Sequence, residues 1–109
     1  MSINAFNPQG NTVTFTANVA APTAVQAPSN GPQVNGYRVI NSGNVTVFMG
    51  VGANATVSAN NATTITTNAA SIPLLAGTDE ILIFPPASYF TGVTASGTAV
   101  VYITPGEGL

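Results

Sequence analysis

The sequence predicts an all-β chain, a single-domain β-sandwich or jelly roll of about seven to eight short antiparallel strands. Three observations predict it. Apolar and polar residues alternate with period two in several short runs, clearest over Thr12-Val13-Thr14-Phe15-Thr16-Ala17-Asn18-Val19. Clusters of Gly, Pro, Asn and Ser interrupt such runs about every 8 to 15 residues. The 109 residues also suffice for one hydrophobic core and not two, so the domain spans 1–109.

The first strand places Val13, Phe15, Ala17 and Val19 on one face and threonines on the other. Before it, residues 1 to about 11 read as an extended N-terminal arm. After it, a Pro-rich loop covers about residues 22–33, with Pro22, Pro28 and Pro32 and the run Ser29-Asn30-Gly31. Gln33 to Ile40 reads as a second strand, in which Asn35-Gly36 marks either a bulge or a tight turn. Asn41-Ser42-Gly43-Asn44 separates Tyr37–Ile40 from Val45–Val51 and reads as a hairpin loop.

From Gly52 to Asn68 the chain is rich in Ala, Asn and Thr. A helix over Ala53–Ala62 is disfavoured by that content, and Thr63-Thr64-Ile65-Thr66-Thr67 suggests an edge strand. Ala76-Gly77 is a turn leading into Glu80-Ile81-Leu82-Ile83-Phe84, an apolar run expected to lie inside and stopped by Pro85-Pro86. Tyr89–Ala95, a turn at Ser96-Gly97 and Thr98–Thr104 read as a second hairpin, and Pro105–Leu109 as a short tail. The expected core is Phe15, Ile40, Val47, Ile65, Leu75, Leu82, Phe84, Val93, Val101 and Ile103, with Met49 beside it.

Composition constrains function more than any motif. Only 4% of residues are charged, against about 25% in an ordinary domain, whereas 45% are hydrophobic. A compact protein of this mass exposes on the order of 5,600 Å². One basic and three acidic side chains cover little of that, so most of the exterior is neutral, and a partner is expected to cover part of it. Nucleic acid and anionic membranes are excluded as partners, because Arg38 is the single cation. Disorder is excluded by the hydrophobicity. No run is long and apolar enough for a transmembrane helix, and Met1-Ser2-Ile3-Asn4 does not open a signal peptide. The expected product is therefore soluble and made in the cytoplasm, or has lost a leader. The absence of Cys leaves the redox compartment open.

Catalysis lacks its residues. With no His, Lys or Cys, a nucleophilic serine or cysteine mechanism has no base or thiol. A glycosidase needs two facing carboxyls, but Asp79 and Glu80 are adjacent on a strand and project to opposite faces, and Glu107 sits among glycines. The same residues supply too few oxygens for more than a weak calcium site, and zinc has no ligands at all. The expectation is a non-enzyme with no catalytic, metal or cofactor residues. The triplets beginning at Asn44, Asn54 and Asn61 match the glycosylation pattern, as chance predicts in a chain so rich in Asn and Thr.

Contact residues are the remaining candidates. Arg38, preceded by Tyr37, suits either an interface anchor or an internal pair with Asp79, Glu80 or Glu107. Phe6 has no strand of its own and is expected to dock on a neighbouring surface. Tyr89 and Phe90 are adjacent on a strand, so one of them faces away from the core. With Glu107, these residues form the candidate interface: Phe6, Tyr37, Arg38, Tyr89, Phe90 and Glu107.

Three segments, Tyr37-Arg38-Val39-Ile40-Asn41, Ile72-Pro73-Leu74-Leu75-Ala76-Gly77-Thr78-Asp79-Glu80-Ile81-Leu82 and Val101-Tyr102-Ile103-Thr104-Pro105-Gly106-Glu107-Gly108, resemble the small all-β cement or decoration proteins of tailed bacteriophage capsids. The resemblance implies a jelly roll or β-sandwich that binds the outer surface of the major capsid protein lattice as a homodimer or homotrimer, bridging capsomers in the virion. No family binding motif transfers residue by residue. The alternative class is a β-sandwich module of a surface fibre, adhesin or carbohydrate-binding protein, although a carbohydrate platform would want more exposed Trp or Tyr.

Overall fold

The computed structural model describes residues 6–27, 36–64, 70–85 and 87–107. Its elements run β1 (Asn7–Pro8), β2 (Val13–Ala17), β3 (Val25–Gln26), β4 (Gly36–Asn41), β5 (Val47–Gly52), α1 (Ala55–Asn61), β6 (Ile72–Leu74), β7 (Asp79–Ile83), β8 (Tyr89–Val93) and β9 (Ala99–Glu107). The predicted all-β sandwich is the observed fold.

Pairing is nested. β2 pairs with β9, β3 with β8, β4 with β7 and β5 with β6, all antiparallel. Two further pairings, β4 with β9 and β5 with β8, roll this ribbon of four strand pairs into two sheets. One runs β2-β9-β4-β7, with β1 continuing the β2 side of β9, and the other runs β3-β8-β5-β6. That double-sheet order is a jelly roll.

Nesting overturns both expected hairpins. β4 and β5, joined by residues 42–46, lie in different sheets, as do β8 and β9, joined by residues 94–98. The connections that resemble hairpin loops are crossings between sheets, and side chains fix them. Asn41, fully buried at the end of β4, donates its amide to the Val45 and Leu74 carbonyls at 2.9 Å, and its Oδ1 accepts the Gly43 N–H at 3.0 Å. A single neutral side chain thereby ties the β9 sheet, the crossing loop and β6 of the other sheet. At the second crossing the Thr94 hydroxyl donates to the Gly97 carbonyl at 2.7 Å, with Gly97 at φ +77°. That backbone angle suits glycine.

The core lies between the sheets. Phe15, Ala17, Tyr37, Val39, Ala99, Val101 and Ile103 enter from the β9 sheet, and Val47, Met49, Leu74 and Phe90 from the β8 sheet. Tyr37, Phe84 and Phe90 meet as tilted and edge-on rings with centroids 5.1 to 6.1 Å apart. The Tyr37 hydroxyl escapes burial without a partner by donating to the Pro85 carbonyl at 3.0 Å. Of the expected core, Phe15, Val47, Val93, Val101 and Ile103 are buried, Ile40, Leu82 and Phe84 are half-buried, and Ile65 lies outside the described residues. Leu75 is 66% exposed, because β6 ends at Leu74 and that residue takes the inward position.

Three more expectations give way. A helix forms at Ala55–Asn61, where Asn54 caps it by accepting the Val57 N–H at 2.9 Å. Tertiary packing supplies the rest: Gly50 and Gly52 leave the outer face of β5 bare, the Ser58 hydroxyl donates to the Gly50 carbonyl, and Asn61 donates to the Val51 carbonyl. The apolar run at β7 is a sheet edge, with Ile83 72% exposed. The expected tail from Pro105 instead continues β9 through Glu107, between β1 and β4. Pro105 is tolerated in this inner strand because its backbone faces the gap between β1 and β2, where its carbonyl accepts the Gln9 N–H at 2.8 Å and no ladder donor is required. Residues 28–33 of the Pro-rich loop, 1–5 of the arm and 65–67 of the suggested edge strand lie outside the described residues. Within the described parts, β1 pairs with β9 and β3 with β8.

Two substitutions test these fixings. Asn41→Ala should lower stability by about 2 to 3 kcal/mol, read from the urea midpoint at unchanged m-value, because the Val45 and Leu74 carbonyls lose their donor. At Gly50 an added Cβ would lie 2.2 Å from the Ser58 carbonyl oxygen and 2.3 Å from the Ala62 nitrogen. Gly50→Ala should therefore displace α1, seen as faster hydrogen exchange of its amides while β9 stays protected.

Candidate functional site

Strand parity separates the outer faces of the two sheets. On the β8 sheet, Phe48, Gly50 and Gly52 of β5 and Tyr89, Thr91 and Val93 of β8 face outward. α1 lies on this face across the two glycines, and residues 21–24 lie beside it. The Thr91 hydroxyl donates to the Pro22 carbonyl at 2.8 Å, so Thr91 is fully buried although it points away from the core. A shallow groove of about 400 Å³ remains between Ala21–Ala24 and the Ala55, Thr56, Ala59 and Asn60 side of α1.

No described helix covers the β9 sheet. Its outer face carries Thr14 and Thr16 from β2, Val100, Tyr102 and Thr104 from β9, Arg38 and Ile40 from β4, and Asp79, Ile81 and Ile83 from β7. Tyr102 is 40% exposed. The face is aliphatic and aromatic at its middle and hydroxyl-bearing on its β2 side. It carries one ion pair, in which Arg38 Nε and Nη2 donate to the two Asp79 oxygens at 2.9 and 2.7 Å. The two residues are diagonal neighbours: Arg38 stands opposite Ile81, and Asp79 opposite Ile40. These hydrogen bonds, opposed by desolvation and reinforced by the guanidinium charge, hold the Asp79 carboxyl below its ordinary range, and the same hydrogen bonds and the Asp79 charge raise the Arg38 pKa.

At one end of this face an open depression of about 550 Å³ is lined by Phe6, Arg38, Asp79, Glu80 and Ile81. Phe6 reaches it by packing on β9, where a Cβ at Gly106 would lie 2.5 Å from the Phe6 ring. The neighbouring surface on which it docks is thus this chain's own sheet, and it remains half-exposed.

The structure therefore redistributes the six sequence candidates. Phe6 and Arg38 come together, with Arg38 in the internal pair that was the alternative to an anchor. Tyr37 and Phe90 are fully buried in the aromatic core and present no surface, because their strand positions face the other sheet. Tyr89 is half-buried on the outer face of β8, so Tyr89 and Phe90 divide between the two faces as adjacent strand residues must. Glu107 pairs with Asn7 at the end of β9, and its side chain lies outside the described residues. Sequence reasoning missed Tyr102, Ile81 and Ile83. Their signal was the alternation of Tyr102 with Val101 and Ile103, and the position of Ile81 and Ile83 on a strand that begins with two carboxylates.

Among the described residues no group of three or more His, Cys, Asp or Glu could hold a metal ion. No described helix is long and apolar enough to cross a membrane. Comparison with known proteins adds no relative: no family model, no curated protein and no solved structure matches the chain.

The sign of the Asp79 shift fixes a pH dependence. A carboxyl depressed by folding contributes stability fully above its unfolded pKa, near about 4, and loses that contribution as pH falls through the folded value. Denaturation midpoints of the native chain should therefore fall on acidification below this range more than those of Asp79→Asn. The difference should be small for so exposed a pair and smaller still in high salt.

Proposed function

We propose that the chain is a structural virion protein that binds the outer surface of a major capsid protein lattice and stabilises the head by bridging neighbouring capsomers. The observation that carries the reading is the outer face of the β9 sheet, over which no described helix lies, a neutral surface of Tyr102, Ile40, Val100, Ile81 and Thr side chains in which Arg38 and Asp79 already satisfy one another. Contacts on such a face come from apolar burial and hydroxyl hydrogen bonds. These do not weaken with salt as phosphate binding does, and they suit a large, repeated protein surface. The jelly roll agrees with this role, since viral capsid domains use it, although fold alone does not assign function. The reading assigns no catalysis, cofactor or nucleic acid, and locates the protein on the outside of the virion after synthesis in the host cytoplasm.

The depression at Phe6, Arg38, Asp79 and Glu80 favours one other reading, a carbohydrate-binding module, because an aromatic ring beside charged hydrogen-bonding groups is how proteins hold sugars. Co-sedimentation with capsid shells discriminates the two. The native chain is expected to pellet with shells and raise their disruption temperature. Tyr102→Lys should weaken binding at least about tenfold, by placing an unpaired charge in the contact. Thr56→Lys, on the exposed side of α1, should leave binding unchanged. No binding to shells, together with binding to a glycan that Arg38→Ala abolishes, would replace the virion reading with the carbohydrate one.

A further inference from the structure

A jelly roll leaves sheet edges, and in this one they are unequally protected. β6 carries Pro73 and is three residues long, and β3 is two residues long. β2 is tied across the sandwich, where Asn18 bridges to Val93 and accepts the Thr94 N–H at 2.9 Å. β7 has none of these devices: it is five residues long, contains no Pro, and among the described residues pairs only with β4. Such an edge is a template for another strand.

Which backbone groups are free follows from the ladder. The Asn41 N–H donates to the Thr78 carbonyl at 2.9 Å, so residue 78 turns its polar groups toward β4. Alternation then turns 80 and 82 the same way, and Asp79, Ile81 and Ile83 outward. The side chains of those three residues share the outer face. Asp79 is neutralised by Arg38, Ile81 is half-buried and Ile83 is 72% exposed.

We propose that the free edge of β7 is where a second copy of this chain pairs, antiparallel and two-fold symmetric about Ile81, joining the two β9 sheets into one. The register is selected by elimination. A two-fold at Asp79 or Glu80 sets a carboxylate against its own copy. A two-fold at Leu82 or Ile83 brings Pro85, which has no N–H, opposite a residue that needs a donor. Centred on Ile81, the strands place Ile81 against Ile81, Asp79 against Ile83 and Glu80 against Leu82. All outward groups of the three residues then pair, in about six hydrogen bonds, with no like charges opposed. This inference deepens the self-association expected of a capsid-surface protein, but it rests on the edge and not on the shell.

The test uses the full chain. Sedimentation velocity over a dilution series should show a dimer. Because the chain has no cysteine, Ile81→Cys should give a covalent dimer on mild oxidation, since residues directly opposite in a hydrogen-bonded pair lie within disulfide reach, whereas Leu75→Cys, in the turn before β7, should not. Ile81→Pro should be monomeric with an unchanged circular dichroism spectrum, since the lost N–H points away from β4. Should that variant misfold, Ile81→Lys, which brings two ammonium groups together at the axis, should give the folded monomer. A native monomer, or a dimer that persists in folded Ile81→Pro or Ile81→Lys, would overturn the proposal. Shell binding is scored separately. A β7 dimer that ignores shells refutes the virion reading alone, and a native monomer that pellets with shells refutes the β7 pairing alone.

Discussion

The amide of Asn41 stands at the point on which this sandwich turns. At the end of β4 the chain leaves one sheet for the other, and the carbonyls of Val45 in the crossing loop and Leu74 in β6 come together beside it. One buried side chain donates to Val45 and Leu74 and accepts from Gly43, so loop, strand end and opposing sheet are fixed together. A charged group could do this only at a heavy desolvation cost, whereas an amide offers donors and an acceptor without net charge. The same solution recurs in Ser58 on the buried side of α1, Thr91 against Pro22, Thr94 at the second crossing and Ser88 donating to the Pro85 carbonyl. Among the described residues no buried side-chain nitrogen or oxygen lacks a partner. The abundance of Asn, Thr and Ser is thus in part interior joinery, and scarcity of charge is compatible with a well-determined fold.

That internal use of polar groups alters how the neutral exterior is understood. Among the described residues, one sheet has its outer face covered by α1 and residues 21–24, and no helix lies over the outer face of the other. The covered side uses Gly50, Gly52 and the capping Asn54 in bringing helix backbone against strand backbone. The open side holds Tyr102, Ile40 and Val100 around a satisfied ion pair. Ile83 and Tyr102 add exposed apolar area to that face, whereas Val19, Val57 and Leu75 are exposed elsewhere on the molecule.

Much of the strand content was legible in the sequence because alternation reports a half-buried strand directly, as at Val13–Ala17 and Ala99–Ile103. Pairing was not, because a four-residue polar loop reads alike whether it closes a hairpin or carries the chain between sheets. The local signals at Asn41–Asn44 and Ser96-Gly97 marked real turns and said nothing of where the next strand lands. The short helix was hidden by weak propensity, since its stability comes from a cap and from the bare face of Gly50 and Gly52. β6 was not read as a strand, because it is three residues long and contains Pro73, and Leu75 was expected inside where its neighbour Leu74 takes the inward position. For the site, Arg38 and its carboxylate were visible as a possibility. Tyr37 and Phe90 look like contact residues in sequence because the core that claims them is assembled from strands distant along the chain.

The position of β9 carries a consequence for synthesis. It follows every other described strand in the chain, yet it lies inside its sheet, paired with β1 and β2 on one side and β4 on the other. While it remains in the ribosome, β2 and β4 have nothing between them, and the inward faces of Phe15, Tyr37 and Val39 have no completed wall to pack against. Folding must then wait for the whole ribbon, and its outermost pairing closes the longest loop in the domain, the kind of non-local contact that makes β proteins slow to fold. Nascent chains crowded on one message would expose unfinished edges to one another during that interval. A strand order that gives a tightly closed product also leaves the protein most vulnerable before its last strand emerges.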